Sequence, residues 1–325
     1  MATKILIIRF SSIGDIVLTT PVIRNLKLQG ENIELHYLTK IQYAGILENN
    51  PYVDRVHTLD KSFDELMPEL QAEQFDYIVD LHKNLRTLRV KRKLKVESSS
   101  FNKVNMEKFL IVNFKINKLP GIHIVDRYME TIKQFVEKND MQGLDFFIPP
   151  KDDVDIKSLP DNFHSGYIAF AIGAQHSTKR LPDEKIISIC KKAERPIILL
   201  GDKNDAVVAE KIVTAVGSNI YNACGKYNLN QSASFVKQAK LVITHDTGLM
   251  HIAAAFKKRI ISVWGNTIPE FGMYPYLSAE GSEIVEVKNL KCRPCSKIGF
   301  KSCPKKHFRC MNEIDEERII KLIHL

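Results

Sequence analysis

The chain of 325 residues contains no apolar run long enough to span a membrane, for which about 18 residues is the usual minimum. The apolar segment ahead of Arg9 is only about five residues long, too short for a signal-peptide core. A cytoplasmic location is expected. Two nucleotide-binding signatures are missing as well. Neither G-x-G-x-x-G nor Gly-Lys-Ser/Thr follows the first apolar run, which disfavours a Rossmann dehydrogenase and a Walker phosphate loop. There is no short tandem repeat.

Acidic residues are missing from two basic stretches. Overall, 47 Lys and Arg face 38 Asp and Glu, a formal charge of +9, and such an excess favours anionic partners. Residues 83–95 include seven basic side chains and no acid, and residues 288–309 include eight and again none. Runs of this kind are commonly solvated faces. The first one, however, directly follows a strand signal, at the end of the sheet where open α/β folds bind ligands. A phosphorylated glycolipid at an anionic membrane surface would be drawn to it. Nucleic acid is disfavoured, because no aromatic residue is interleaved in that run to stack on bases.

What is present is alternation. Residues 5–8, 33–38, 55–58 and 77–80 read as strands, with a helical stretch at 63–71. A second set of strands, 167–171, 196–200, 241–244 and 260–263, alternates with helices at 183–192, 205–216 and 231–239. Strands separated by helices imply parallel sheets with right-handed crossovers. The chain is therefore α/β in two halves, each large enough for its own core. The joint lies within 147–161, a stretch rich in Pro and Asp. This gives one domain at 1–155, a second at 156–312 and a final helix at 313–325.

Two polar loops stand where strands run into helices. Lys4-Ile5-Leu6-Ile7-Ile8 leads into Arg9-Phe10-Ser11-Ser12-Ile13-Gly14-Asp15. Asp15 is either the cap of the next helix or a carboxylate at the lip of the sheet, facing a ligand. Leu241-Val242-Ile243 leads into Thr244-His245-Asp246-Thr247-Gly248-Leu249-Met250-His251. Asp246 or Thr247 can cap that helix, and Gly248 lets the backbone approach a ligand. The free N–H groups of its first turn suit a diphosphate.

These two loops, with Asp76-Tyr77-Ile78-Val79-Asp80-Leu81-His82-Lys83-Asn84-Leu85-Arg86 and Gly173-Ala174-Gln175-His176-Ser177-Thr178-Lys179-Arg180-Leu181-Pro182, occur in the order of a known family. The chain resembles glycosyltransferase family 9, the ADP-heptose:lipopolysaccharide heptosyltransferases, nearly end to end. Leu181 departs from it, where many relatives have Trp, and residues 94–118 carry none of the matching motifs. The resemblance implies a GT-B fold, two Rossmann-like doubly wound parallel-sheet domains facing a central cleft. The acceptor side would be 1–155 and the nucleotide-sugar side 156–312, with the helix 313–325 packing back on the first domain. It implies transfer of heptose from ADP-heptose to the inner core of lipopolysaccharide, onto Kdo or heptose on lipid A. No cofactor is expected, and the enzyme would work at the inner face of the inner membrane. A family 9 transferase with another nucleotide-sugar donor or glycan acceptor, or a nucleotide-sugar-binding protein without catalysis, are the alternatives.

The resemblance also assigns roles. Asp15 becomes the general base, and Lys179, a compact charge on a flexible stem, meets the diphosphate. Ser12, Gly14, Ser177, Thr178, Asp246, Thr247, Gly248 and Leu249 fall on the donor side. His251, one turn beyond Thr247, is either a donor contact or a core histidine. Asp202 either accepts from ribose hydroxyls or caps the next helix. Lys83 and Arg86 are the acceptor candidates. One base and one direct displacement would invert the anomeric carbon. The letters D-x-D occur only in Asp152-Asp153-Val154-Asp155, within the joint, and read as a solvated turn, so no catalytic metal is expected. Cys292-x2-Cys295-x7-Cys303-x6-Cys310, with His307 nearby, has the look of a structural metal site. Its second pair is not a tight C-x2-C, which leaves buried thiols stabilising a loop as the other reading. A cytosolic chain argues against disulfides, and Cys190 and Cys224 read as core residues.

Overall fold

The computed structural model describes residues 2–60 and 62–325. The chain forms two compact units, Met1–Val104 with Ile122–Phe147, and Asn105–Gly121 with Ile148–Leu325. The first is built on five parallel strands: β1 (Thr3–Ile8), β2 (Ile33–Lys40), β3 (Arg55–Leu59), β4 (Tyr77–Asp80) and β5 (Glu97–Ser100), in the order β3-β2-β1-β4-β5. The second has six: β6 (Ile168–Ala171), β7 (Ile197–Leu200), β8 (Ile220–Asn222), β9 (Leu241–His245), β10 (Ile260–Trp264) and β11 (Glu283–Glu286), in the order β11-β10-β9-β6-β7-β8. Every pairing is parallel. The central strands β4, β6, β7, β9 and β10 are buried along their whole length, which is why they read as unbroken apolar runs. Each strand order reverses once, between β1 and β4 in the first unit and between β6 and β9 in the second. Ligands of such sheets bind beyond the carboxyl ends of the strands at that reversal.

Three strands escape the sequence reading, and all lie at or near an edge. β5 is Glu-Ser-Ser-Ser, β8 has three residues, and β11 begins and ends in Glu. Polar composition is how edge strands avoid further pairing.

The joint is better ordered than a solvated turn. Asp152 is buried and accepts from Asn228 Nδ2 at 2.9 Å and Asn230 Nδ2 at 3.0 Å, while Asp153 accepts from Ser234 Oγ at 2.7 Å. Asp152 and Asp153 thus fasten the joint to the helix Leu229–Gln238 and its cap in the second unit. The final helix is Glu316–Ile323. Ile319, Leu322 and Ile323 are buried in the second unit's core, and Lys185 and Ser188 of the helix Asp183–Ala193 donate to Glu316 at 2.8 and 2.6 Å. Its apolar face is taken up in that core. Cys190 and Cys224 lie in the same core.

In the first unit, Arg24 on the helix Thr20–Gln29 clamps a return segment. Its side chain is 5% exposed and donates to both oxygens of Asp140, at 2.7 and 2.8 Å, to Gly143 O at 2.9 Å, and to Asp145. Arg24→Met should lower the unfolding free energy in urea by about 2–3 kcal/mol, because two partly buried carboxylates lose their cation. A loss below about 1 kcal/mol would show that water replaces the guanidinium without cost.

Candidate functional site

In the first unit, the loop after β1 folds around an arginine. Arg9 is 8% exposed, and its guanidinium donates to Ser11 O at 2.8 Å, Leu81 O at 2.6 Å and Asp15 Oδ1 at 2.5 Å. The bond to Leu81 ties the loop after β1 to the loop after β4, across the strand reversal. Ser12 rather than Asp15 is the N-cap of the short helix Ile13–Val17, and Asp15 sits in its first turn. Asp15 Oδ2 accepts from Ser12 N at 3.1 Å and Ser12 Oγ at 2.7 Å, and Gly14 is buried beside it. Burial alone would raise the Asp15 carboxyl. The Arg9 charge and the Ser12 hydrogen bonds outweigh it and hold the group below the usual carboxylate range.

The loop after β4 is shaped by a buried aspartate. Asp80 Oδ1 accepts from the backbone N–H of His82 at 3.1 Å and of Lys83 at 2.6 Å, and Lys83 takes the left-handed backbone, φ 47°. Asn84 then caps the helix Leu85–Leu94, accepting from Arg86 N at 2.9 Å and Thr87 N at 3.0 Å. Burial, and then Arg9, push His82 down to about 4, so it is neutral at pH 7. Part of the basic run is committed locally, Arg89 to Asp64 at 2.6 Å and Lys91 to Asp80 at 3.2 Å. Lys83 and Arg86 are exposed and form no ion pair among the described residues. Lys103 was not singled out in the sequence. It is half-buried, and burial, followed by Arg9, lowers its pKa.

In the second unit, the loops after β6 and β9 meet at the other strand reversal. Lys179 Nζ donates to Asp246 Oδ2 at 2.5 Å and to Asp246 O at 3.4 Å, and Thr267 Oγ1 donates to the same carboxylate oxygen at 2.9 Å. The cation expected at the diphosphate thus rests on the aspartate that precedes the helix Gly248–Ala255. Thr247 is the N-cap of that helix. It is half-buried, as are Gly248 and Leu249, so the helix start remains accessible. His245 is fully buried and pushed down to about 4 by that burial. Its Nε2 accepts from the backbone N–H of Leu181 at 3.0 Å, pinning the Lys179 loop to the end of β9. His251 is 2% exposed, a buried residue of that helix.

Some donor candidates are differently employed. The Thr178 hydroxyl accepts from Phe300 N at 2.8 Å and donates to Phe300 O at 3.1 Å. It holds a loop and is not a free phosphate donor, whereas Ser177 is exposed. Asp202 is an exposed turn residue accepting from Asn204 N at 2.7 Å. The buried carboxylate in that region is Asp205, paired with Arg180 at 2.7 Å. A side chain at position 173 would displace the Asp205 carboxylate, since a Cβ there would lie 2.1 Å from Asp205 Oδ2. Two residues after β10 also went unnoticed in the sequence. One is Thr267. The other is Asn266, 2% exposed, whose side-chain amide has neither atom paired among the described residues.

The cysteines are all free thiols. Cys292 Sγ lies 3.8 Å from His307 Nε2, and Cys295 donates to Cys292 O at 3.0 Å. Burial raises Cys310 to about 12 and, with Cys292, raises Cys295 to about 11. Among the described residues, only His36, His57 and Glu73 bring three ligand atoms within 4.8 Å of one another. The four cysteines do not gather that tightly. Those three ligands are themselves occupied. His36 Nδ1 and His57 Nε2 share a hydrogen bond at 2.9 Å, and Glu73 is held by Lys4 and Arg55.

The profile of glycosyltransferase family 9 (heptosyltransferase) matches residues 64–306. Lipopolysaccharide heptosyltransferase 1 of Campylobacter coli is 23% identical, covering 98% of either chain. A family 9 glycosyltransferase from Veillonella parvula superposes with a TM-score of 0.80 at 22% identity, covering 99% of this chain and 97% of that one. The Escherichia coli ADP-heptose lipopolysaccharide heptosyltransferase II does so at 0.75 and 17%, over the same shares. At these identities the two structures speak for the fold, a GT-B pair of doubly wound units, and the profile for the family. The chain belongs to glycosyltransferase family 9, the heptosyltransferases.

Proposed function

We propose that this glycosyltransferase transfers heptose from ADP-heptose to an inner-core sugar of lipopolysaccharide by a single displacement that inverts the anomeric carbon, without a metal ion. The observation that carries the reading is Asp15, a carboxylate kept ionised by Arg9 and Ser12 at the strand reversal of the first unit. The acceptor hydroxyl gives its proton to Asp15 as its oxygen bonds to the anomeric carbon. The bond from that carbon to the diphosphate breaks, and ADP leaves with the electron pair. A weak base suits a hydroxyl that becomes acidic only as the new bond forms.

Negative charge grows on the departing diphosphate. Lys179 and the first N–H groups of the helix Gly248–Ala255 are the groups that would meet it. Positive charge fixed in advance does the work of a metal here. Lys83 and Arg86, exposed and without ion pairs among the described residues, suit the anionic groups of an inner-core acceptor. The donor named for the Escherichia coli relative is ADP-heptose, and both this reading of the donor and that of the acceptor rest on family membership.

The test is ADP release from ADP-heptose, with chelator present, with and without Kdo-lipid A. Acceptor-dependent release is expected, and UDP- and GDP-sugars should give less than about a tenth of it. Release only with another nucleotide sugar would replace the donor assignment. Loss of release on adding chelator would overturn the metal-free mechanism.

A further inference from the structure

Among the described residues no helix is long and apolar enough to cross a membrane. The chain nonetheless carries a segment with two apolar faces. Residues 105–121, which belong to the second unit, begin with the helix Asn105–Phe114. One face is packed: Ile111, with Val112 and Leu119, lies against Ile268 and Phe271. The other is bare, with Met106 66%, Phe109 47%, Phe114 61% and Ile116 48% exposed. Met106 and Phe109 lie one turn apart on the helix, and the Phe109 and Phe114 rings meet edge to face at 5.8 Å. Single exposed apolar residues need no explanation, but a contiguous group of this size marks a partner.

The charge around the bare face chooses the partner. Residues 105–121 hold three lysines, Lys108, Lys115 and Lys118, and one acid, Glu107. The segment is tied to the basic stretch near the chain's end, where Lys115 Nζ donates to Pro294 O at 2.7 Å and Lys297 Nζ to Asn105 O at 3.5 Å. That stretch has no acid between residues 288 and 309 and bares Ile298, 63% exposed. Lys115, Lys118, Lys297 and Lys301 are exposed in the same two segments. Apolar side chains in lysine-bearing segments fit an anionic lipid surface, with the hydrocarbon entering the headgroup boundary and ammonium groups near the lipid phosphates. A second copy of the chain would bring like charges together.

We propose that residues 105–121, with the adjoining loop at 297–301, dock this enzyme on an anionic bilayer surface. The experiment is co-sedimentation of the full chain with phosphatidylcholine vesicles, with and without 30 mole percent phosphatidylglycerol. Binding to the anionic vesicles should exceed binding to the neutral ones at least tenfold. Met106→Ser/Phe109→Ser/Phe114→Ser should lower the anionic binding at least tenfold while leaving turnover on a deacylated, soluble acceptor unchanged. Unchanged vesicle binding in that variant would overturn the proposal. So would a wild-type dimer in sedimentation velocity that the variant dissolves, since the face would then be a self-association surface. Phe114→Trp decides the matter should the triple variant not fold. Its emission should shift to the blue on anionic vesicles, against the one native tryptophan, Trp264, which is 1% exposed, and no shift would count against docking. Vesicle binding needs neither donor nor acceptor, so its failure is separate from failure of the proposed reaction.

Discussion

Asp15→Asn should lower kcat about a thousandfold, the middle of the range for a lost general base, while the donor dissociation constant changes less than about threefold. Calorimetric titration with ADP-heptose and the acceptor-dependent assay give the two numbers. The geometry explains why they separate. The substituted amide oxygen can still accept from Ser12, so the turn that Asp15 completes survives, but an amide cannot take the acceptor's proton. Donor affinity falling in step with turnover would make Asp15 a structural residue.

The pH profile follows from the same pair. Arg9 and Ser12 hold the Asp15 carboxyl below its ordinary value, which is about 3.9 for an aspartate in the unfolded chain. As pH falls, the base therefore stays ionised past that value, and kcat should be level from about pH 8 to about pH 5. The associated stability runs the same way, present in full above the unfolded pKa and lost as pH falls through the folded one. Arg9→Met removes the opposing charge, so burial prevails and the acid limb of kcat should move upward.

Lys179→Met should cost about a hundredfold or more in kcat/KM, the scale of losing one preorganised group that stabilises a developing anion. The loss has two sources. The proposed cation for the diphosphate is lost, and the Asp246 side chain, 11% exposed, is left with Thr267 as its one side-chain partner among the described residues. Adding Asp246→Asn removes the second source. The double variant should regain thermal stability and part of the donor affinity, but little of kcat. If the double variant recovers full turnover, Lys179 serves only to neutralise Asp246. Lys179→Arg keeps the charge on a broader group and should fall between wild type and Lys179→Met.

Much of the candidate site is legible in the sequence for a physical reason. Both candidate loops follow parallel strands that are buried at their carboxyl ends, so each appears as an apolar run broken by Ser, Asp and Gly. Pairing through space is not legible. Lys179 and Asp246 are each conspicuous, yet 67 residues separate them, and nothing in the spacing says that they hold one another. Asp202 follows a strand and looks available, but Asp205, three residues on, is the buried carboxylate because Arg180 reaches it. Thr178 looks like a phosphate hydroxyl until Phe300 occupies it. The amphipathic pattern of the final helix specifies a buried face without naming the surface that covers it, and the second unit's core takes Ile319, Leu322 and Ile323.

The two loops differ in when they can be finished. The Asp15 loop is closed through Leu81, 72 residues from Arg9. The Lys179 loop is latched through Thr178 to Phe300, 122 residues further along the chain. At bacterial synthesis rates of about 5–20 residues per second, those 122 residues take roughly 6–24 s to make. A growing chain can therefore complete the loop that holds Asp15 while the loop that holds Lys179 still lacks its latch.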